Sequence, residues 1–271
     1  MTAPADQPLT DRTIDADHRT YERLAHLVGT LTDEQLTQPS GASEWTVAQV
    51  LSHLGSGAQI TLETLRAAQA GVDRAADANQ SVWARWNAMS PREQADGYLR
   101  AGGELDQAYA ELDSAQRIDL RVPMAFLPEP AGLDLFTGMR LNEAALHAWD
   151  VEVAFDPAAT IPDDVAAVLV EQYLGPLAFL VGFTAKTDAL SSRPVTLTLR
   201  TTSPDRTLGL TLGDQARLTD APEQSDGEVH LPGEALPRLL TGRLRASDSA
   251  GGVRVVGAVS LDDLRRVFPG F

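Results

Sequence analysis

The 271-residue sequence contains no cysteine, which excludes structural disulfides, thiolate-ligated zinc and a protein thiol nucleophile. If sulfur chemistry takes place, the sulfur arrives on a ligand. Positive charge is also scarce: 22 Lys and Arg stand against 38 Asp and Glu, a formal net charge of −16. Such a surface repels nucleic acid and anionic membranes and leaves a small molecule as the expected partner. Lys186 is the only lysine, a compositional bias from which no mechanism follows. No apolar run approaches the roughly 20 residues of a spanning helix. The opening residues lack the basic and apolar regions of a signal peptide, so a cytoplasmic location is expected. Also missing are a Gly-x-Gly-x-x-Gly fingerprint after a strand, a phosphate-binding Gly-x-x-x-x-Gly-Lys and a Gly-x-Ser-x-Gly elbow. Nucleotide-dependent and serine-hydrolase chemistry therefore have little support. Gly251-Gly252 precedes a strand and reads as a turn.

What is present is a hydrophobic share of 43%, ample for a packed core. The periodicity predicts an α+β protein: a four-helix bundle over residues 1–157 and a small α/β domain with a short sheet over 158–271. Leu24, Leu27, Val28 and Leu31 recur at helical spacing, predicting an amphipathic helix between Ile14 and Leu36. A second helix is expected from near Thr46, past Leu65, to Gly71. Gly55 and Gly57 within it mark close packing or a gap. Ser81 to Met89 looks helical, and Ser90-Pro91-Arg92-Glu93 is a start signal for a helix reaching Leu112. After a proline-rich loop, another helix spans about Leu133 to Phe155. Asp156 to Pro162 reads as a linker, followed by a helix from Asp163 to Leu180. The period then changes to two, with strands at 195–199, 208–212, 228–231 and 253–256 and helices at 233–240 and 261–267.

The chemistry concentrates at Glu143 and His147, four residues apart in a helical run. Positions i and i+4 share a helix face, so a carboxylate and an imidazole can converge there on one ion. His53, on the second predicted helix, is the best third ligand. Two neutral imidazoles and one carboxylate form a common catalytic zinc set with an open coordination position. Asp150, three residues beyond His147, is placed to orient a ligand or a metal-bound water. Glu-x-x-x-His also arises by chance on surface helices, and a lone His on an apolar face is usually a satisfied core residue. Arg140 is expected beside Glu143 or Asp150, with substrate binding the lesser role. His18, His26 and His230 read as structural or exposed, and Trp83 and Trp86 as core or pocket wall.

Trp45-Thr46-Val47 leading to His53, the run Arg140-x-x-Glu143-x-x-x-His147-x-x-Asp150 and the closing Phe268-Pro269-Gly270-Phe271 together resemble the mycothiol-dependent maleylpyruvate isomerase family, within the DinB-like group of four-helix proteins. The resemblance extends over most of the chain. It implies that His53, Glu143 and His147 bind a divalent ion, usually zinc, that Asp150 supports it, and that mycothiol, a low-molecular-weight thiol, is the second cofactor. A divalent ion held by two neutral imidazoles and one carboxylate keeps a net charge near +1. That charge would lower a thiol pKa from ~8.5 toward neutrality. The resemblance further implies thiolate addition to a cis double bond, rotation and elimination to the trans product, or transfer of sulfur to an electrophile by the same activated thiolate. A carboxylated substrate needs a cationic contact, for which Arg243 or Arg245 of the second domain competes with Arg85 and Arg140. Two rival expectations remain: a metal-dependent hydrolase, and a non-catalytic metal- or ligand-binding protein.

Overall fold

The computed structural model describes residues 7–190, 194–244 and 252–270. These divide into two compact units, one ending at Ala159 and one starting at Thr160. The first is helical: α1 (Leu9–Val28), α2 (Asp33–Leu36), α3 (Val47–Ala70), α4 (Ala78–Asn87), α5 (Pro91–Ala110), α6 (Ser114–Asp119) and α7 (Leu133–Glu152). A pair of two-residue strands, β1 (Arg121–Val122) and β2 (Ala131–Gly132), closes the loop before α7. The long helices form a ring of four, with α3 against α5 and α7, and α1 against α7 and α5.

Local chemistry sets the helix limits. Thr46 and Gln49 form a reciprocal capping box at the start of α3, which stops at Gly71 in the left-handed region (φ 65°). Ser90 and Glu93 do the same for α5, with Pro91 at its first position. Both satisfy backbone donors that the first helical turn leaves free. The helix expected between Ile14 and Leu36 is instead broken: α1 ends at Val28, and a Thr32–Gln35 capping box starts α2 anew. That box, following Gly29, outweighs the continuing apolar period.

Gly55 serves close packing. A Cβ built there would lie 2.2 Å from the Trp86 indole, and one at Gly97 of α5 would lie 2.9 Å from the same ring. Trp86 thus wedges between α3 and α5 and donates from Nε1 to Gln59 Oε1 at 2.8 Å. Trp83 is half-exposed. A second apolar cluster, including Leu24, Leu36, Val47, Leu51, Leu54, Tyr98, Ala148 and Val151, joins the start of α3 to the end of α7.

Ionisable side chains also lie inside this unit. Asp17 of α1 and Arg140 of α7 are both buried, and burial pushes the Asp17 carboxyl up to about 6 while the Arg140 charge opposes that rise.

The second unit carries α8 (Asp163–Leu174), α9 (Ala178–Thr184), β3 (Val195–Thr202), β4 (Arg206–Leu212), β5 (Ala216–Asp220), β6 (Gly227–Pro232), α10 (Ala235–Leu240), β7 (Arg254–Gly257) and α11 (Leu261–Val267). The sheet order is β5-β4-β3-β6-β7, with β3 and β6 parallel and the other neighbours antiparallel. The single helix expected from Asp163 to Leu180 is two, bent by 87° at Gly175-Pro176, because proline lacks an amide donor and clashes with the preceding turn. Strand β5 and helix α6 went unpredicted. Gly251 lies outside the described residues. Among those described, no single helix is long and apolar enough to cross a membrane.

Two outcomes test this packing. Gly55→Ala forces a methyl into an indole ring and should destabilise the protein by about 1–3 kcal/mol, read by urea denaturation; unchanged stability contradicts the wedge. The Asp17 carboxyl is raised on folding, so its stabilising contribution is complete below the unfolded value of 3.8 and disappears as pH rises through about 6. Relative to Asp17→Asn, the native protein should therefore gain about 2–2.5 kcal/mol between pH 7.5 and pH 4. A pH-independent difference between the two proteins would be inconsistent with the buried carboxyl.

Candidate metal centre

Three side chains from two helices meet at one end of the first unit. His53 lies in the second turn of α3, and Glu143 and His147 lie one turn apart near the end of α7. His53 Nε2 is 3.0 Å from Glu143 Oε2, and His147 Nε2 is 3.7 Å from the same oxygen. One potential ligand atom from each of the three residues falls within 4.8 Å of the others. A tetrahedral ion with bonds of about 2.0–2.1 Å holds its ligands roughly 3.3 Å apart, so the two measured distances to Glu143 bracket the separation required. Two nitrogens and one carboxylate oxygen also match the donor types that zinc and similar ions accept. The residues present fit a divalent cation.

Behind the trio, Asp150 Oδ2 is 2.8 Å from His147 Nδ1. Asp150 is fully buried, and as a carboxylate it accepts the Nδ1 proton. This fixes the tautomer and leaves the Nε2 lone pair facing Glu143. Exposure rises outward: the side chain of Asp150 is 1% exposed, His147 14%, His53 39% and Glu143 43%. A buried anion thus anchors a centre that opens to solvent.

The loop before α3 forms a side wall. Trp45 lies with its ring centroid 6.0 Å from that of His147, nearly parallel at 21°, and 5.3 Å from that of His53. The two imidazoles meet edge to face, 4.7 Å apart. Ser40 holds the Trp45 carbonyl through its amide at 2.9 Å and its hydroxyl at 2.8 Å. Gly41 donates its amide to the Asp150 carbonyl at 2.6 Å, and a Cβ there would lie 2.7 Å from Asp150 Cα. The loop is therefore seated on both ligand-bearing helices.

Other expected participants sit elsewhere. Arg140 turns inward, is buried, and donates from Nη1 to the Leu54 carbonyl at 3.2 Å, which removes it from the competition to contact substrate. His18 pairs with Asp106 at 2.8 Å and His230 with Glu228 at 3.0 Å; neither belongs to the trio. Arg85 is exposed on α4. Arg243 is half-buried in the second unit, its amide donating to the Arg238 carbonyl at 2.7 Å. Arg245 and Phe271 lie outside the described residues. Sequence reasoning assigned no role to Trp45 or Gly41 at the site; nothing in local periodicity marks them, because their positions depend on the loop's tertiary path.

No curated protein matches the chain in sequence. Two crystal structures, one of the mycothiol-dependent maleylpyruvate isomerase and one of a histidine-to-alanine mutant of it, match the fold with TM-scores of 0.64 and 0.63. Each is 18% identical, and each alignment covers 96% of this chain and 98% of the other. Residues 18–152 match the family model of the mycothiol maleylpyruvate isomerase N-terminal domain, a span that includes the whole trio and Asp150. By that match the chain belongs to the mycothiol maleylpyruvate isomerase family.

Proposed function

We propose that the protein is a cytoplasmic enzyme that uses a divalent metal, zinc by preference, and mycothiol to act on an electrophilic small molecule, by S-transfer or by cis/trans isomerisation of a maleylpyruvate-like substrate. The observation that carries this reading is the convergence of His53, Glu143 and His147 with Asp150 behind them. Family membership and the names of the two structural neighbours support it.

In this reading His53 and His147 hold the cation through nitrogen and Glu143 through oxygen. When bound, the cation supplies positive charge that favours a thiolate over a thiol, and mycothiol supplies the sulfur that a chain without cysteine lacks. Asp150 keeps the His147 proton on Nδ1, so that Nε2 stays available as a donor. Glu143, nearly half exposed, offsets one unit of charge and leaves the centre cationic. Trp45 covers one side of the imidazoles and limits water there. Arg243 is proposed as the cationic contact for a substrate carboxylate; its anchored backbone is the feature that suits it to positioning a charge.

The purified protein should bind about one zinc ion, with His53→Ala and His147→Ala each weakening affinity at least ~100-fold in a chelator competition titration. Variants retaining full occupancy would contradict the ligand set. Asp150→Asn keeps the shape but loses the anionic acceptor, and a loss of about 10–100-fold in metal affinity is expected. Calorimetry then separates thiol chemistry from hydrolysis: mycothiol should bind the zinc-loaded protein and not the metal-free one. Binding that ignores the metal would favour another role for the site.

A further inference from the structure

The two histidines of the centre are held differently. His147 has Asp150 against Nδ1 at 2.8 Å. For the His53 imidazole, the ring and hydrogen-bond partners among the described residues are Trp45, Glu143 and His147. Glu143 and His147 are themselves the other members of the trio, so both must turn toward a cation when one binds. Outside the trio, the aromatic contact of the His53 ring is with the Trp45 indole, 5.3 Å away between centroids and tilted by 51°.

We infer that Trp45 is a positioning residue for the metal centre, orienting His53 by ring packing as Asp150 orients His147 by hydrogen bonding. The inference rests on the proposed metal site and adds an element to it. An imidazole with free rotamers loses that freedom on coordination, and a ring already held against an aromatic wall loses less, the general advantage of preorganisation. The indole is itself fixed. Ser40 binds the Trp45 carbonyl twice, the Trp45 amide donates to the Ala42 carbonyl at 3.3 Å, and Pro39 bridges to Thr46. Glu44 turns the chain at φ 67° just before it. The same loop rests on α7 through the Gly41 amide and the Asp150 carbonyl. One short segment therefore ties the orienting group of one ligand to the backbone of the orienting group of the other.

The indole is 38% exposed, so its replacement leaves the two apolar clusters of the unit intact. Trp45→Leu keeps an apolar side chain but removes the ring, whereas Trp45→Phe keeps a ring. In zinc competition titrations, Trp45→Leu should bind about 10-fold more weakly than the native protein, equivalent to about 1.4 kcal/mol. Trp45→Phe should stay within about 3-fold, and the thermal midpoints of the metal-free proteins should be nearly equal. The cobalt(II) spectrum should change with Trp45→Leu and persist with Trp45→Phe. In a His53→Ala background, Trp45→Leu should weaken residual metal binding clearly less than it does in the native protein, the remainder reflecting its stacking on His147. Native affinity and an unchanged cobalt spectrum in Trp45→Leu overturn the inference while leaving the metal site in place. A loss in the His53→Ala background as large as in the native protein also overturns it, since Trp45 would then act through other groups. A native protein that binds neither ion overturns both the site and the inference.

Discussion

The arrangement depends on the start of α3 and the end of α7 being held side by side, because the proposed ligand set is divided between them. His53 comes from one helix, Glu143 and His147 from the other, and 3.0 Å separates His53 from Glu143 across the junction. The apolar contacts beneath that junction include Val47, Leu51 and Leu54 from α3 and Ala148 and Val151 from α7. Arg140 adds a polar link, reaching from α7 to the carbonyl of Leu54, the residue after His53. The loop carrying Gly41 and Trp45 closes the same junction from outside. Three unrelated interactions thus maintain one distance, and the chemistry of the centre depends on that distance more than on any single side chain.

Charge follows a similar division between inside and outside. The interior holds a few ionisable groups, among them Asp150 against His147 and Asp17 in the field of Arg140. The exterior is strongly acidic, with a net charge of −16, which concentrates cations near the surface and opposes the approach of anions. A centre of net charge near +1 inside such a field would present a local attraction for a thiolate or a carboxylate that the surrounding surface does not offer. The outward gradient from buried Asp150 to half-exposed Glu143 confines the rigid part of the centre to the interior and leaves the open part accessible to ligands.

The parts legible in sequence are those governed by short-range geometry. Glu143 and His147 converge because a helix places i and i+4 on one face, and Thr46 and Ser90 cap helices because three-residue capping boxes are local. The sheet was legible where strands alternate; the proline-rich break suggests a boundary near residue 157, and the compact units divide after Ala159. Arg140 was misplaced. Side chains on a helix lean toward its N-terminus, which carries its guanidinium away from Glu143 and into the core. Asp17 passed unnoticed although it interrupts the buried series Thr13, Ala16, Thr20, Leu24 and Val28 of α1, where a carboxylate among core positions is itself a signal. Trp45 and Gly41 acquire their roles only when the loop folds back onto α7, and no spacing rule encodes that path.

The most direct measurement is a crystal of the zinc-soaked protein with anomalous data collected on either side of the zinc absorption edge. The account predicts one peak, at about 2.0–2.2 Å from Nε2 of His53, Nε2 of His147 and an oxygen of Glu143, with Asp150 still bonded to Nδ1 of His147. A peak away from these three residues, or no peak at saturating zinc, would contradict it.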